Sequence, residues 1–286
     1  MIEWRYADQL EWRLVLVGLS EDTSRYEAMG YTPVRGALGH VRFRDRYGMP
    51  FAAQPKHRMS ASSRACRAVI AARMAWPGSE WRVFRALQLA NFNSPLLFDD
   101  DDHVRAVLST VPGIDAEQIV AAIDSPEIIE AYEADKALTR SAAGSPTEFQ
   151  GKAGNSDGAV RYTAPSVFFE APDGRRLEAG GFQPAEAYDV LVANLDPTLD
   201  RKPPPEDVGE LFDFFDSGLT TQETAAVLAR GNDAPDRVAA EAELIQLVYD
   251  GRIERHPLGD DALWTPPGGT SPTEPLLATV AAGAPA

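Results

Sequence analysis

Cys66 is the one cysteine in this 286-residue chain, so thiol chemistry is the first chemistry to weigh. A lone thiolate can act as a nucleophile where its surroundings are electropositive and accessible. Cys66, however, shares the apolar face of an expected helix with Val69 and Ile70, while the adjacent Arg64 and Arg67 diverge from that face. It therefore reads as a buried structural thiol. Exchange of an internal disulfide needs a second, resolving thiol, which these residues do not contain. His40, His57, His103 and His256 have no metal-ligand spacing with one another or with Cys66, and read as surface or locally bonded histidines. The run Asp99–Asp102 lacks the alternating oxygens and the glycine of a calcium loop. It reads as the acidic opening of a helix carrying Val104, Val107 and Leu108, where carboxylates meet the positive end of the dipole. Glycine-rich nucleotide loops, a serine-hydrolase elbow and a zinc-protease motif are all absent from the sequence. No catalytic residue, cofactor or metal is expected on these grounds.

The elements that could position a site lie further on. Val167, Phe168 and Phe169 have the make-up of a short core strand entered through Pro165, and Asp173-Gly174 is a hairpin signal before a second strand at Arg176–Gly181. Pro184 suits the first turn of a helix on which Tyr188, Leu191, Val192 and Leu195 share a face. A proline directly before a buried strand is unusual, because it cannot donate to a sheet ladder.

This order resembles the C-terminal half of a thioredoxin fold, and most closely the DsbA-like branch that includes the FrnE proteins and the hydroxychromene-carboxylate isomerases. The resemblance implies a cis Ala164–Pro165 peptide that begins a strand paired on both sides, with neighbours from before and after the helical insertion. It also implies that Thr163, Ala164 and Pro165 bind substrate, the residue before the proline presenting its backbone to an extended peptide as an added strand would. Leu10–Leu19 looks like the family's second strand, and the helices between it and Pro165 occupy the place of the family's all-helical insertion. Redox members carry Cys-x-x-Cys between a first strand and a first helix; here Met1 stands where the end of that helix is expected. Either the native start lies upstream, which the unpaired edges of a depleted sheet favour, or this is a non-redox relative. The activity implied is thiol–disulfide oxidoreduction with a thiol- or disulfide-bearing protein or a small thiol as partner. The alternatives are a non-catalytic protein-binding module and a glutathione-like, thiol-dependent isomerase or transferase.

The expected fold class is α/β, thioredoxin-like with a helical insertion, followed by a small α+β domain. The thioredoxin-like domain takes residues 1–195, with 20–160 mostly helical insertion. Serines 60 or 62 and Ser79, then Asp115 and Ser125-Pro126, open successive helices; residues 141–160, rich in Gly, Ser and Asn, read as a loop. Residues 196–206 form a proline-stiffened linker. Residues 207–264 resemble a winged-helix domain: a helix with Leu211, Phe212 and Phe215, a Thr220/Glu223 capping box opening a second, a third with Val238, Leu244, Ile245 and Val248, and a hairpin turning at Gly259-Asp260-Asp261. Residues 265–286 are expected to be a disordered tail.

The net charge is −16, which opposes nucleic-acid phosphates. Residues 206–264 alone hold fourteen Asp plus Glu against four Arg and no Lys, the reverse of a DNA-reading surface. Protein contact or dimerisation suits that domain better. A homodimer through an exposed Leu10–Leu19 edge is expected if the first strand is missing. Met1–Arg5 lacks a secretory start, and no apolar run approaches the roughly 20 residues that span a bilayer. A cytoplasmic location without membrane association is the expectation.

Overall fold

The structure is a computed structural model and describes residues 1–274. The helices are α1 (Ile2–Tyr6), α2 (Ser24–Ala28), α3 (Pro33–Tyr47), α4 (Ser63–Ala75), α5 (Glu80–Asn93), α6 (Asp101–Leu108), α7 (Ala116–Ala122), α8 (Pro126–Thr139) and α9 (Pro146–Phe149). Then come β1 (Ala153–Asn155), β2 (Val160–Tyr162), β3 (Ser166–Glu170), β4 (Arg176–Gly180) and α10 (Ala185–Leu195). The chain continues with α11 (Glu210–Phe214), β5 (Leu219–Thr220), α12 (Thr221–Leu228), α13 (Arg237–Tyr249), β6 (Glu254–Leu258) and β7 (Asp261–Thr265). The mixture of helix and sheet is that of an α/β fold. It divides into two compact units: residues 1–17, 133–206 and 225–236, and residues 18–132, 207–224 and 237 onward.

In the first unit β3 and β4 form an antiparallel hairpin, Ser166 opposite Gly180 and Glu170 opposite Arg176. Its apolar face packs with α10 and α1 in one cluster of Tyr6, Phe169, Ala179, Val192 and Leu195, to which Tyr188 and Leu191 add. Both the Asp173-Gly174 turn and the apolar stripe of α10 are thus where their residues placed them. Among the described residues β3 pairs with β4 alone, so the expected pairing on both sides does not form. Leu10–Leu19 is not a strand either. It runs without sheet partners among the described residues; Leu16 N–H donates to Asp135 Oδ2 of α8 at 3.0 Å, and Arg140, just past the end of α8, donates to the Val17 carbonyl. A buried backbone needs partners of some kind, and here a carboxylate and a guanidinium supply them.

Residues 196–206 are also held. Trp4 Nε1 donates to the Pro203 carbonyl at 2.8 Å, the Lys202 ammonium sits 3.3 Å from the Trp4 ring centroid, and Lys202 N–H donates to the Arg5 carbonyl. Below them the buried Asp189 carboxylate accepts the Tyr6 hydroxyl at 2.6 Å and faces Arg201 at 2.7 Å and Arg5 at 3.3 Å. Burial pushes the Tyr6 hydroxyl up, and Asp189 adds to it. Tyr6→Phe should therefore cost about 1.5–3 kcal/mol, the range for a hydrogen bond to a charged group. Urea denaturation reads this as a lower midpoint at unchanged slope, and an unchanged midpoint would contradict it.

The second unit is built on α4–α7, whose Val69, Ile70, Val83, Leu87, Val104, Leu108 and Ile119 are all buried. Asp100 caps α6 by accepting from Asp102 and His103 N–H, and Asp115 caps α7 by accepting from Gln118 N–H. Helix α3 forms although Gly36 and Gly39 each weaken a helix interior by about 1 kcal/mol. Its ends are nonetheless well marked: Thr32 accepts from Arg35 N–H, Pro33 opens the first turn, and Gly48 closes it at φ 70°.

Residues 207–265 give a three-stranded antiparallel sheet in the order β5-β7-β6 with α11, α12 and α13. The contacts draw a different division from the one expected at residues 196–206, since 207–224 and 237 onward group with 18–132. Leu258 and Leu263 share a cluster with Leu89, Asp260 accepts from Phe51 N–H at 3.1 Å, and Arg85 forks onto Glu223. The expected tail begins too early: Ser271 and Thr273 are buried, and Thr270 Oγ1 donates to the Thr110 carbonyl. The remainder of that expectation, residues 275–286, lies outside the described residues.

Candidate functional site

The candidate site is the turn that carries the chain from β2 into β3. The Ala164–Pro165 peptide is cis. Thr163 is half-buried, whereas Ala164 and Pro165 are exposed. Thr163 Oγ1 donates to the Lys152 carbonyl at 2.7 Å, and Ser166 Oγ donates back to the Thr163 carbonyl at 2.6 Å. Gly181 N–H donates to that same Ser166 Oγ at 3.2 Å. The turn is thus stitched to the preceding hairpin on one side and to the end of β4 on the other. Among the described residues no group hydrogen-bonds to the backbone of Ala164, an exposed residue just before β3, whose other edge β4 leaves unpaired.

A second layer fixes the floor. Glu178 on β4 accepts the Thr147 N–H and hydroxyl, both at 2.7 Å, and the Tyr162 hydroxyl at 3.2 Å. Burial pushes the Tyr162 hydroxyl up, as does the Glu178 charge. The Tyr162 ring meets Phe168 edge-on at 4.7 Å, and the Arg176 guanidinium lies 3.9 Å from the Phe168 ring centroid. Gly180 has Thr147 where a Cβ would stand; only glycine lets α9 approach β4 so closely. Around this floor two large apolar side chains face solvent: Phe182, 59% exposed, and Phe149, 81% exposed. Lys152 links Phe182 to the turn, its carbonyl held by Thr163 and its ammonium 3.5 Å from the Phe182 carbonyl.

Sequence reading singled out Thr163, Ala164 and Pro165 as substrate-binding residues at the entry to a strand, and the structure places them at the turn just before β3. It missed Lys152, Ser166, Glu178 and the two phenylalanines. Residues 141–160, taken as loop, hold α9, β1 and β2 instead, and Ser145-Pro146, a cap followed by a first-turn proline, was the signal for α9. Cys66 lies in the other unit, on α4, as a half-buried thiol in no disulfide rather than a fully buried one. The Asp99–Asp102 carboxylates go to Arg58, to the α6 cap, to Arg64 and to Arg105. His103 Nδ1 accepts from Leu97 N–H, and His256 bonds Thr265. His40 stacks between Phe51 and Phe92, where burial pushes its pKa down. Among the described residues no group of three His, Cys, Asp or Glu could hold a metal ion, and no helix is long and apolar enough to cross a membrane.

Residues 38–164 match the model of the DSBA-like thioredoxin domain family. The match spans the helices from α3 onward and ends within the candidate turn. It supports a DsbA-like thioredoxin domain, and with it a class of proteins like the thiol–disulfide oxidoreductases. No curated protein matches the chain.

Proposed function

We propose that this chain binds an extended, thiol- or disulfide-bearing polypeptide across Thr163–Pro165, as part of thiol–disulfide exchange of the DsbA-like kind. The observation that carries the reading is the exposed Ala164, to whose backbone no described residue hydrogen-bonds, at the edge of β3 that β4 leaves open, together with the exposed Phe182 and Phe149. A peptide laid along such an edge gains main-chain hydrogen bonds, and neighbouring apolar side chains give it purchase. The 286 residues bring one cysteine to this chemistry, so binding is separable from turnover: the chain by itself holds a peptide and does not reduce insulin. Residues 207–265, whose helices and sheet resemble a winged helix, serve protein contact in this reading, since their acidity opposes DNA.

Fluorescence anisotropy with a labelled, unfolded, cysteine-containing peptide tests the proposal. Phe182→Asp should weaken binding tenfold or more at unchanged thermal stability, and insulin reduction by the unaltered chain should stay at background. Equal affinity in the variant would overturn the site. Turnover abolished by Cys66→Ser would overturn the separation of binding from chemistry.

A further inference from the structure

Helices α3 and α13, both in the second unit, each leave an apolar ridge in solvent. On α13 the ridge is Val238, Ala242, Ile245 and Tyr249, at spacings of four, three and four; Val238, Ile245 and Tyr249 are 81%, 55% and 86% exposed. Its opposite face, Ala240, Leu244 and Leu247, already supplies the core. On α3 the ridge is Val34, Leu38 and Val41, with Val34 and Leu38 58% and 55% exposed. These spacings are those of a coiled-coil seam.

The charges beside the ridges are opposite. Helix α3 carries Arg35, Arg42, Arg44 and Arg46 against one Asp45, a basic helix in a chain of net charge −16. Arg35, Arg42 and Arg46 are exposed and run along one side of its ridge. Glu243 and Asp250, also exposed, run along the corresponding side of the α13 ridge. In an antiparallel helix pair like sides meet. An antiparallel register that sets Leu38 opposite Ile245 also sets Val34 opposite Tyr249 and Val41 opposite Ala242. It brings Arg35 beside Asp250 and Arg42 beside Glu243, within the reach of long guanidinium side chains. At 15 and 13 residues the helices are about 22 and 20 Å long, so neither overhangs far.

We propose that the occupant of these ridges is a second copy of this chain, α3 of each copy packing antiparallel on α13 of the other around a two-fold axis. Two symmetry-related helix pairs double the area of one, toward the roughly 1,000 Å² that a specific interface needs. Pairing α13 with its own copy would instead bring acidic flanks together, as antiparallel packing sets like sides face to face.

Charge reversal separates the possibilities. Variant one is Arg35→Glu with Arg42→Glu; variant two is Glu243→Arg with Asp250→Arg. Light scattering after gel filtration should give twice the 31.0 kDa chain mass for the unaltered protein and one chain mass for each variant alone. An equimolar mixture of the variants should return to twice that mass, because each then meets its opposite at both helix pairs. Circular dichroism checks that both variants fold. A monomeric unaltered protein at 100 µM would assign the ridges to a different partner and overturn the proposal. So would a dimeric first variant, which would mean that α13 pairs with itself or that another surface is used, and so would a mixture that stays monomeric.

Discussion

Replacing Arg85 with methionine should lower the stability of the second unit by about 2–4 kcal/mol, slightly below the 3–5 kcal/mol of a fully buried pair because both side chains keep some contact with solvent. The two Arg85 Nη atoms donate to the two Glu223 oxygens at 2.7 Å each, and one also donates to the Gly218 carbonyl at 2.9 Å. Thr220 N–H and hydroxyl donate to the same carboxylate, while its hydroxyl accepts Glu223 N–H, completing the capping box. Burial works to raise the Glu223 carboxyl; Arg85 first and Thr220 second outweigh it and hold it below the usual range. A depressed carboxylate contributes stability above its unfolded value, near pH 4.5, and loses that contribution as pH falls through the folded value. Acid titration of the fold should therefore be gentler in Arg85→Met than in the unaltered chain. An equal midpoint in urea at pH 7 would show that the fork is ornamental.

The second large effect is one of alkaline pH. Lys56 Nζ donates to Asn91 Oδ1 at 2.8 Å and to the Leu96 carbonyl at 2.6 Å, and lies 5.4 Å from the Phe98 ring centroid. Burial pushes the ammonium down from 10.5 to about 8, with Asp99 opposing. Between those values the unfolded chain binds the proton and the folded one does not, so stability should rise with pH across the window. The fall from 10.5 to about 8 corresponds to about 3 kcal/mol over the whole window. In Lys56→Met this rise between pH 8 and 10 should vanish, whatever the variant's stability at pH 7. Parallel pH profiles for the two proteins would show that Lys56 keeps its ordinary pKa when folded.

Much of the second unit was legible because its signals are local. Asp100, Asp115 and the Thr220/Glu223 box each mark a helix start within four residues of sequence. What was hidden depends on distant chain. Glu223 announces a cap, but its Arg85 partner is 138 residues away. Leu10–Leu19 has the apolar run of a central strand, yet whether it pairs depends on neighbours, and here Asp135 and Arg140 take its polar atoms instead. Periodicity named Val238 and Ile245 as a helix face without saying which face would be buried; Leu244 went to the core and they to solvent. At the candidate site, Pro165 and the hairpin after it could be read from composition. The Thr163–Lys152 and Ser166–Gly181 bonds that shape the turn could not, since they join residues eleven or more positions apart.

In the proposed function an extended peptide pairs with the backbone of Ala164 at the open edge of β3. Amide hydrogen exchange read residue by residue by NMR, with and without a saturating unfolded peptide, tests it most directly. On binding, the Ala164 N–H should gain protection, and the perturbed resonances should centre on Thr163, Ala164, Ser166 and Phe182. Peptide binding that leaves the Ala164 amide exchanging at its free rate, with changes confined to residues 18–132, would contradict it.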